Sequence, residues 1–436
     1  SGHFARLAVV LTRLGAIIPL FAWDLHGNKS EVDNSCRPSQ AWSKTLRAHP
    51  HPAVVTRALI RNNSDIATGD NNWTLVHHSR LNPRHNVVGF GNASIPSYEC
   101  LVKNIPDRML NVCCMTWNVN ERSASILKTI GDFLDKKMTA TALEDIVAVA
   151  IQEIPAQNRS FHEEALSVIE PLILRTHTIY FSHRAWSQML MVFIAKPHLR
   201  YAIDEPTVKF VPCKAVAKPI RTKGSIGVCF RVYQRMIVIV ASHFSHSSIQ
   251  NRMANYHKMV SLLKFPTLKK FNGGEEKMFS ADVVLWMGDL NFRLSHGSVV
   301  LKNVLPNPND ALIYDELTQQ MREGNIFIDF REARIAFPPT HKLENHSNQY
   351  VVGKTPSYTD RVLYWARDFD YVYPIEYSCL EEETLSDHRP VFCCFKVMAI
   401  NLPIPNKYFG MVRRTVSNPQ YEDEEEEPGP SVSLRI

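Results

Sequence analysis

The run Trp286-Met287-Gly288-Asp289-Leu290-Asn291-Phe292-Arg293 holds the most chemically suggestive spacing in the chain. Asp289 can take a proton from water, and Asn291 can donate to a developing oxyanion. The apolar run Val283-Val284-Leu285-Trp286 precedes them, so both polar groups follow the carboxyl end of a predicted buried strand, where α/β proteins place their sites. Gly288 lets backbone come close to a neighbour. A plainer reading, a strand running into a turn of ordinary turn formers, fits this segment taken alone.

The pattern recurs. Met115-Thr116-Trp117-Asn118 follows the apolar run 110–114, Gln152-Glu153 follows 147–151, and Ser242-His243 follows 237–241. Ser386-Asp387-His388 comes just before the apolar run 391–395. Each is a short β-type run with polar chemistry at one end. Together they predict one site assembled from many strand ends. Asn118 and Glu153 are hard oxygen ligands suited to Mg²⁺. Compact zinc spacings, a Walker loop, a GxGxxG after a strand and a GxSxG elbow are all missing from the sequence. What is left is metal-assisted attack of water on phosphorus.

These segments resemble those of the inositol polyphosphate 5-phosphatases, within the endonuclease/exonuclease/phosphatase superfamily. The resemblance rests on Thr116–Asn118, Gln152-Glu153, Ser242–Phe244, Trp286–Arg293, Thr355–Leu363 and Ser386–Val391, and spans roughly residues 106–410. Thr355–Arg361, Gly324–Phe327 and Ser242–Phe244 look most like the type IV, pharbin-like branch, which favours lipid substrates. The implied fold is the DNase-I-like four-layer α/β sandwich, two mixed sheets flanked by helices. The implied activity is Mg²⁺-dependent removal of the 5-phosphate from phosphatidylinositol 4,5-bisphosphate or 3,4,5-trisphosphate. A nuclease or other phosphodiesterase of the same superfamily is the alternative, and a phosphoinositide-binding scaffold is a third reading.

Roles follow from the resemblance position by position. Asn118 and Glu153 would hold Mg²⁺. Asp289 would orient and deprotonate the attacking water, and Asn291 would bond the phosphoryl oxygens. His388 would donate to the phosphate with Asp360 holding its ring; His243 would be a second donor, and Asp387 would lie near the metal's waters. Lys342, Lys354 and Lys223 would face substrate, and Arg361 would be either a substrate contact or a structural clamp. Two departures stand out. His341 replaces the aromatic residue that usually precedes Lys342, and Lys354 is the one basic residue before Pro356 where the family usually has two.

Composition supports a large α/β domain with extras: 436 residues, 45% hydrophobic. Formal net charge is +6, divided between −5 on the tail from Glu422 and +11 on the remainder. A basic body suits a polyanionic ligand or an anionic membrane surface, and equally DNA; the resemblance implies a phosphoinositide headgroup and peripheral contact with an anionic membrane, with no nucleic acid as partner. The nine cysteines include the adjacent pairs Cys113-Cys114 and Cys393-Cys394, whose side chains must point to opposite faces of a strand. They read as buried thiols of a reducing compartment, hence a cytoplasmic, peripherally membrane-associated protein. Residues 1–105 read as a largely irregular arm that begins without Met, as a fragment would; 106–400 read as the catalytic domain, and 401–436 as an extension with a disordered acidic tail. The stretch 1–25 is too broken for a transmembrane helix, and the terminal residues 432–436 hold no prenylation box.

Overall fold

Strands that are apolar on both faces need cover on both faces. Ile146–Gln152, Gln188–Ala195, Arg235–His243 and Val283–Asp289 are buried at every position, which an open antiparallel sheet with one wet face would not require. A computed structural model shows where the cover comes from. It describes residues 93–140, 144–214, 223–272, 275–295 and 308–401. Of the expected arm over 1–105 and extension over 401–436, residues 1–92 and 402–436 lie outside the described residues.

The strands are β1 Met109–Asn118, β2 Ile146–Gln152, β3 His177–Ala185, β4 Gln188–Ala195, β5 Thr207–Pro212, β6 Gly224–Val232, β7 Arg235–His243, β8 Val283–Asp289, β9 Arg331–Glu332, β10 Asp360–Ala366, β11 Val372–Cys379 and β12 Val391–Met398. They form two six-stranded sheets, ordered β11-β12-β1-β2-β4-β3 and β5-β6-β7-β8-β10-β9. Each is mixed, with one parallel pair at its centre: β1 with β2, and β7 with β8.

The core divides into three bodies. One lies between the sheets and takes Val112 and Ala148 from the first and Ile239, Leu285 and Val362 from the second. A second packs the outer face of the first sheet, through Cys113, Val147 and Met191, under Ile130 and Leu134 of helix Lys128–Ala140 and Ala165 and Ile169 of helix Phe161–Ile173. The third packs Val238, Val240 and Trp286 of the second sheet under Tyr256 and Met259 of helix Ile249–Leu262 and Leu268 of helix Pro266–Asn272. Helices, sheet, sheet, helices is the four-layer sandwich that the resemblance implies.

The expected boundary at 106 moves upstream. Helix Tyr98–Asn104 is capped by the Ser97 hydroxyl, which accepts from the Cys100 N–H. Its Leu101 and the following Ile105 are buried in the inter-sheet core. The adjacent cysteines fall as the strand period demands: Cys113 and Cys394 lie on the helix-covered face, Cys114 and Cys393 between the sheets. All eight described cysteines are free thiols. Among the described residues no helix is long and apolar enough to cross a membrane.

Candidate active site

Register builds the site. In the second sheet, β7 places His243 beside Asp289 of β8, and β10 places Asp360 on the other side of Asp289. Three chemical side chains thus stand in one row across three strands, each at a strand terminus. In the first sheet, β1 and β2 end together at Asn118 and Gln152. The amide of Asn118 crosses between the sheets and donates to Asp289 Oδ2 at 3.0 Å. The loop before β12 is fastened over the same rim: Trp117 Nε1 donates to the His388 carbonyl at 2.9 Å, and Ser386 Oγ to the Asn118 carbonyl at 2.7 Å.

Gly288 makes the row possible. Its φ is +144°, and a Cβ there would lie 2.0 Å from the Ser242 carbonyl oxygen of the neighbouring strand. Glu153 and Asn291 take left-handed conformations, φ 53° and 60°. For non-glycine residues this costs energy and persists where surroundings enforce it, a habit of functional sites. Here it turns both side chains off the ends of β2 and β8.

His388 is the electrostatic centre. Its Nδ1 lies 2.8 Å from Asp360 Oδ2, which also accepts from Thr340 Oγ1 at 2.7 Å and Thr359 Oγ1 at 2.8 Å. Burial alone would lower its pKa, but the charge and hydrogen bond of Asp360, with Asp289 and Asp387 nearby, raise it to about 9. The ring is therefore an imidazolium at neutral pH, Nδ1–H held by Asp360 and Nε2–H left to donate. It also lies between two carboxylates that face one another in register and would otherwise repel. Burial would push the Asp289 carboxyl up; the hydrogen bond from His243 and the charges of His388 and Lys223 outweigh it and hold Asp289 well below the usual carboxylate range.

His243 Nε2 touches Lys223 Nζ at 2.6 Å, Asp289 Oδ2 at 3.3 Å and Glu153 Oε1 at 3.6 Å. One nitrogen thus meets carboxylates delivered by both sheets. Burial and the Lys223 ammonium lower the pKa of His243, so the ring is neutral. A neutral Nε2 can accept from the lysine or donate to the carboxylate, not both, and the buried Nδ1 has no hydrogen-bond partner among the described residues.

Asn291 is more committed than its sequence role suggests. Its Nδ2 donates to the Phe244 carbonyl at 3.1 Å and its Oδ1 accepts from Arg293 Nη2 at 2.5 Å, leaving one N–H free. Arg293 donates its other arm to His341 Nδ1 at 2.8 Å, and the His341 ring lies 4.2 Å from that of His388. Burial, with the neighbouring cations His388 and Arg293, drives the His341 pKa far down, so it accepts as a neutral ring. Arg293 and His341 were not assigned roles from sequence. Arg293 closes the 286–293 run, and its position there is the signal that could have found it.

The remaining expected residues divide. Lys342 pairs with Asp387 at 2.9 Å, its side chain 41% exposed at the rim. Asp387 is thus held by a lysine rather than standing alone. Lys354 is exposed, and among the described residues no hydrogen bond or ion pair joins its side chain to the group around Asp289. Arg361 is a correction. Strand alternation turns it away from Asp360 into full burial, where it donates to Glu332 through Nε at 2.8 Å and Nη2 at 2.5 Å and to Asp315 through Nη1 at 2.8 Å. Those donors are spent inside the protein, so Arg361 is a structural clamp and not a substrate contact.

Metal-ligand chemistry sorts the acidic groups. Asp289, Asp360 and His388 cluster, as do His341, Asp387 and His388. His388 is common to both, and as an imidazolium it pairs with the Asp360 carboxylate through Nδ1. Asn118 Oδ1 accepts one backbone N–H, from Asn120 at 3.0 Å, and the Glu153 carboxylate is 36% exposed. Both keep oxygen lone pairs, and the donor set fits a hard divalent cation.

Comparison with known proteins agrees with this geometry. The rat phosphatidylinositol polyphosphate 5-phosphatase type IV is 28% identical over 392 residues, covering 85% of this chain and 59% of the rat protein. The chain therefore spans about 59% of that relative's length. The solved inositol polyphosphate 5-phosphatase domain of a synaptojanin, in complex with inositol (1,4)-bisphosphate and calcium ion, shares the fold at TM-score 0.57 and 21% identity, over 73% of this chain and 97% of that one. A Cimex nitrophorin, solved as its ferrous NO complex, shares it at TM-score 0.55 and 20% identity, over 67% of this chain and 99% of that one. One scaffold thus carries unrelated chemistry, and function has to be argued from side chains. The model of the endonuclease/exonuclease/phosphatase family 2 matches residues 115–394, more than half of the sequence, and the chain belongs to that family.

Proposed function

We propose that the protein removes the 5-phosphate from phosphoinositides by Mg²⁺-dependent, in-line attack of water, giving inorganic phosphate and the 5-dephosphorylated lipid. The observation that carries this is the meeting at Asp289 of Asn118 from one sheet with His243 and the Asp360-held His388 from the other. Asn118 and Glu153 would hold the Mg²⁺, which when bound neutralises phosphate charge. Phosphoryl transfer asks the protein mainly for positioning and charge. Asp289, fully ionised, orients the water and accepts its proton as the new P–O bond makes that water acidic. His388 Nε2–H and the Lys223 ammonium donate to the phosphoryl oxygens as charge builds. A phosphate oxygen accepting from Lys223 frees His243 Nε2 to donate, which removes the conflict at that nitrogen. The free N–H of Asn291 adds a further donor.

Lys342, partly exposed and paired only with Asp387, suits the phosphate adjacent to the one removed. The likeness to the type IV enzymes supports a lipid substrate over a soluble one, and a basic body suits peripheral contact with anionic membrane. Phosphate release from a panel of short-chain phosphoinositides, run beside nicking of abasic DNA, tests the reading. Release from 5-phosphorylated members without nicking is expected. Nicking without release would favour the phosphodiesterase alternative.

A further inference from the structure

The pole opposite the active site carries a cavity of about 430 Å³ lined by Cys100, Lys103, Asn104, Lys196, Arg200 and Tyr201, among others. It opens where β1 begins and β4 ends, whereas Asn118 lies at the far end of β1, about 30 Å away at ~3.3 Å per residue. Three cations lining one concave surface suit a carboxylate-rich or phosphorylated ligand. None of the three has a carboxylate partner among the described residues, and Lys196 spends one donor on the Arg175 carbonyl. The wall behind them is fixed. Tyr201 stacks on Tyr233 with centroids 4.9 Å apart, Tyr233 Oη lies 2.8 Å from His198 Nδ1, and His198 Nε2 lies 2.7 Å from Asp145 Oδ1.

The same pole receives the end of β12. Ala399 N–H donates to the Arg108 carbonyl, just beyond the helix that supplies Lys103 and Asn104. Gln234 N–H donates to the Ala399 carbonyl, and its neighbour Tyr233 N–H donates to Tyr201 of the cavity. The chain leaves the described domain at Asn401 within a few residues of the cavity, and the six consecutive acids 422–427 follow the linker 402–421. A coil of twenty residues has a root-mean-square reach of about 25 Å, which gives millimolar effective concentration. Charge complementarity, exit point and tether length converge. We propose that the acidic segment 422–427 docks in this basic cavity, so that the chain's own carboxylates occupy the pole remote from the active site.

The test uses the full chain with the run neutralised by Glu422→Gln, Asp423→Asn and Glu→Gln at 424–427. A fluorescent peptide of residues 418–430 is titrated at low salt and followed by anisotropy. Binding to the neutralised chain is expected to be at least ~10-fold tighter than to the parent, whose tethered segment competes. Arg200→Glu, at an exposed position, should weaken peptide binding by about 10-fold or more, with an unchanged melting profile. Lys342→Ala, at the opposite pole, should leave it unchanged. Equal binding to parent and neutralised chains, no binding at low salt, or a loss that follows Lys342→Ala instead of Arg200→Glu would overturn the proposal. So would displacement of the peptide by equimolar inorganic phosphate, which would make the cavity a general small-anion site.

Discussion

Asp289 is touched from both sheets, by Asn118 from one and by His243 from the other. Its replacement by Ala is expected to lower kcat by at least ~10²-fold, as for other positioned proton acceptors, with phosphate release as the readout. His388 sets a pH dependence. Its folded pKa of about 9 lies above its ordinary value near 6.5, so its contribution to stability is complete below about 6.5 and is lost as pH rises through about 9. Substrate binding that needs the imidazolium should show the same alkaline limb in kcat/KM. Asp360→Asn should move that limb toward neutrality, because burial then acts on the ring without its counter-charge. A limb that stays near 9 in the variant would assign it to another group. Asp289 was legible because an acidic residue just after an apolar run is visible in sequence, whereas Asp360 was found only through the family resemblance. The part played by His341 was not legible: a histidine that is neutral because it is buried against two cations looks, in sequence, like any other histidine.

The row His243–Asp289–Asp360 is a property of three strands in register, and it depends on Gly288. Gly288→Ala should cost on the order of 3 kcal/mol or more, since the backbone is left-handed and the new methyl meets a carbonyl that cannot move freely. Urea unfolding measures this. Arg361→Ala should cost about 3–5 kcal/mol, because two buried carboxylates lose their partner; any variant that folds should keep the KM of the parent. Strand identity was readable from apolar runs, and β1, β2, β7, β8 and β12 all contain the runs picked out from sequence. Two things were not readable. The pairing of β7 with β8 joins segments some forty residues apart, and periodicity carries no information on partners. The orientation of Arg361 is set by alternation along β10, a strand whose start at Asp360 was not marked by any turn residue. The helix Tyr98–Asn104 was missed within a polar stretch because two apolar residues, Leu101 and Ile105, suffice to anchor it.

The described domain has a rim where both sheets end in the candidate site residues, and an opposite end that holds the start of β1 and the end of β4. The four-layer order was legible only through resemblance, because layer stacking depends on contacts distant in sequence. If Asn118 and Glu153 hold the ion, chelation with EDTA should abolish phosphate release and added Mg²⁺ should restore it. Lys342→Ala should raise KM for a 4,5-bisphosphate headgroup with little change in kcat, since that lysine stands at the rim and not at the reacting atoms. The most direct measurement follows short-chain phosphatidylinositol 4,5-bisphosphate by phosphorus NMR, with the parent chain and Asp289→Ala, in Mg²⁺. The parent should yield the 4-phosphate lipid and inorganic phosphate while the variant leaves the substrate nearly intact; loss of the 4-phosphate, or equal turnover by both chains, would contradict the account.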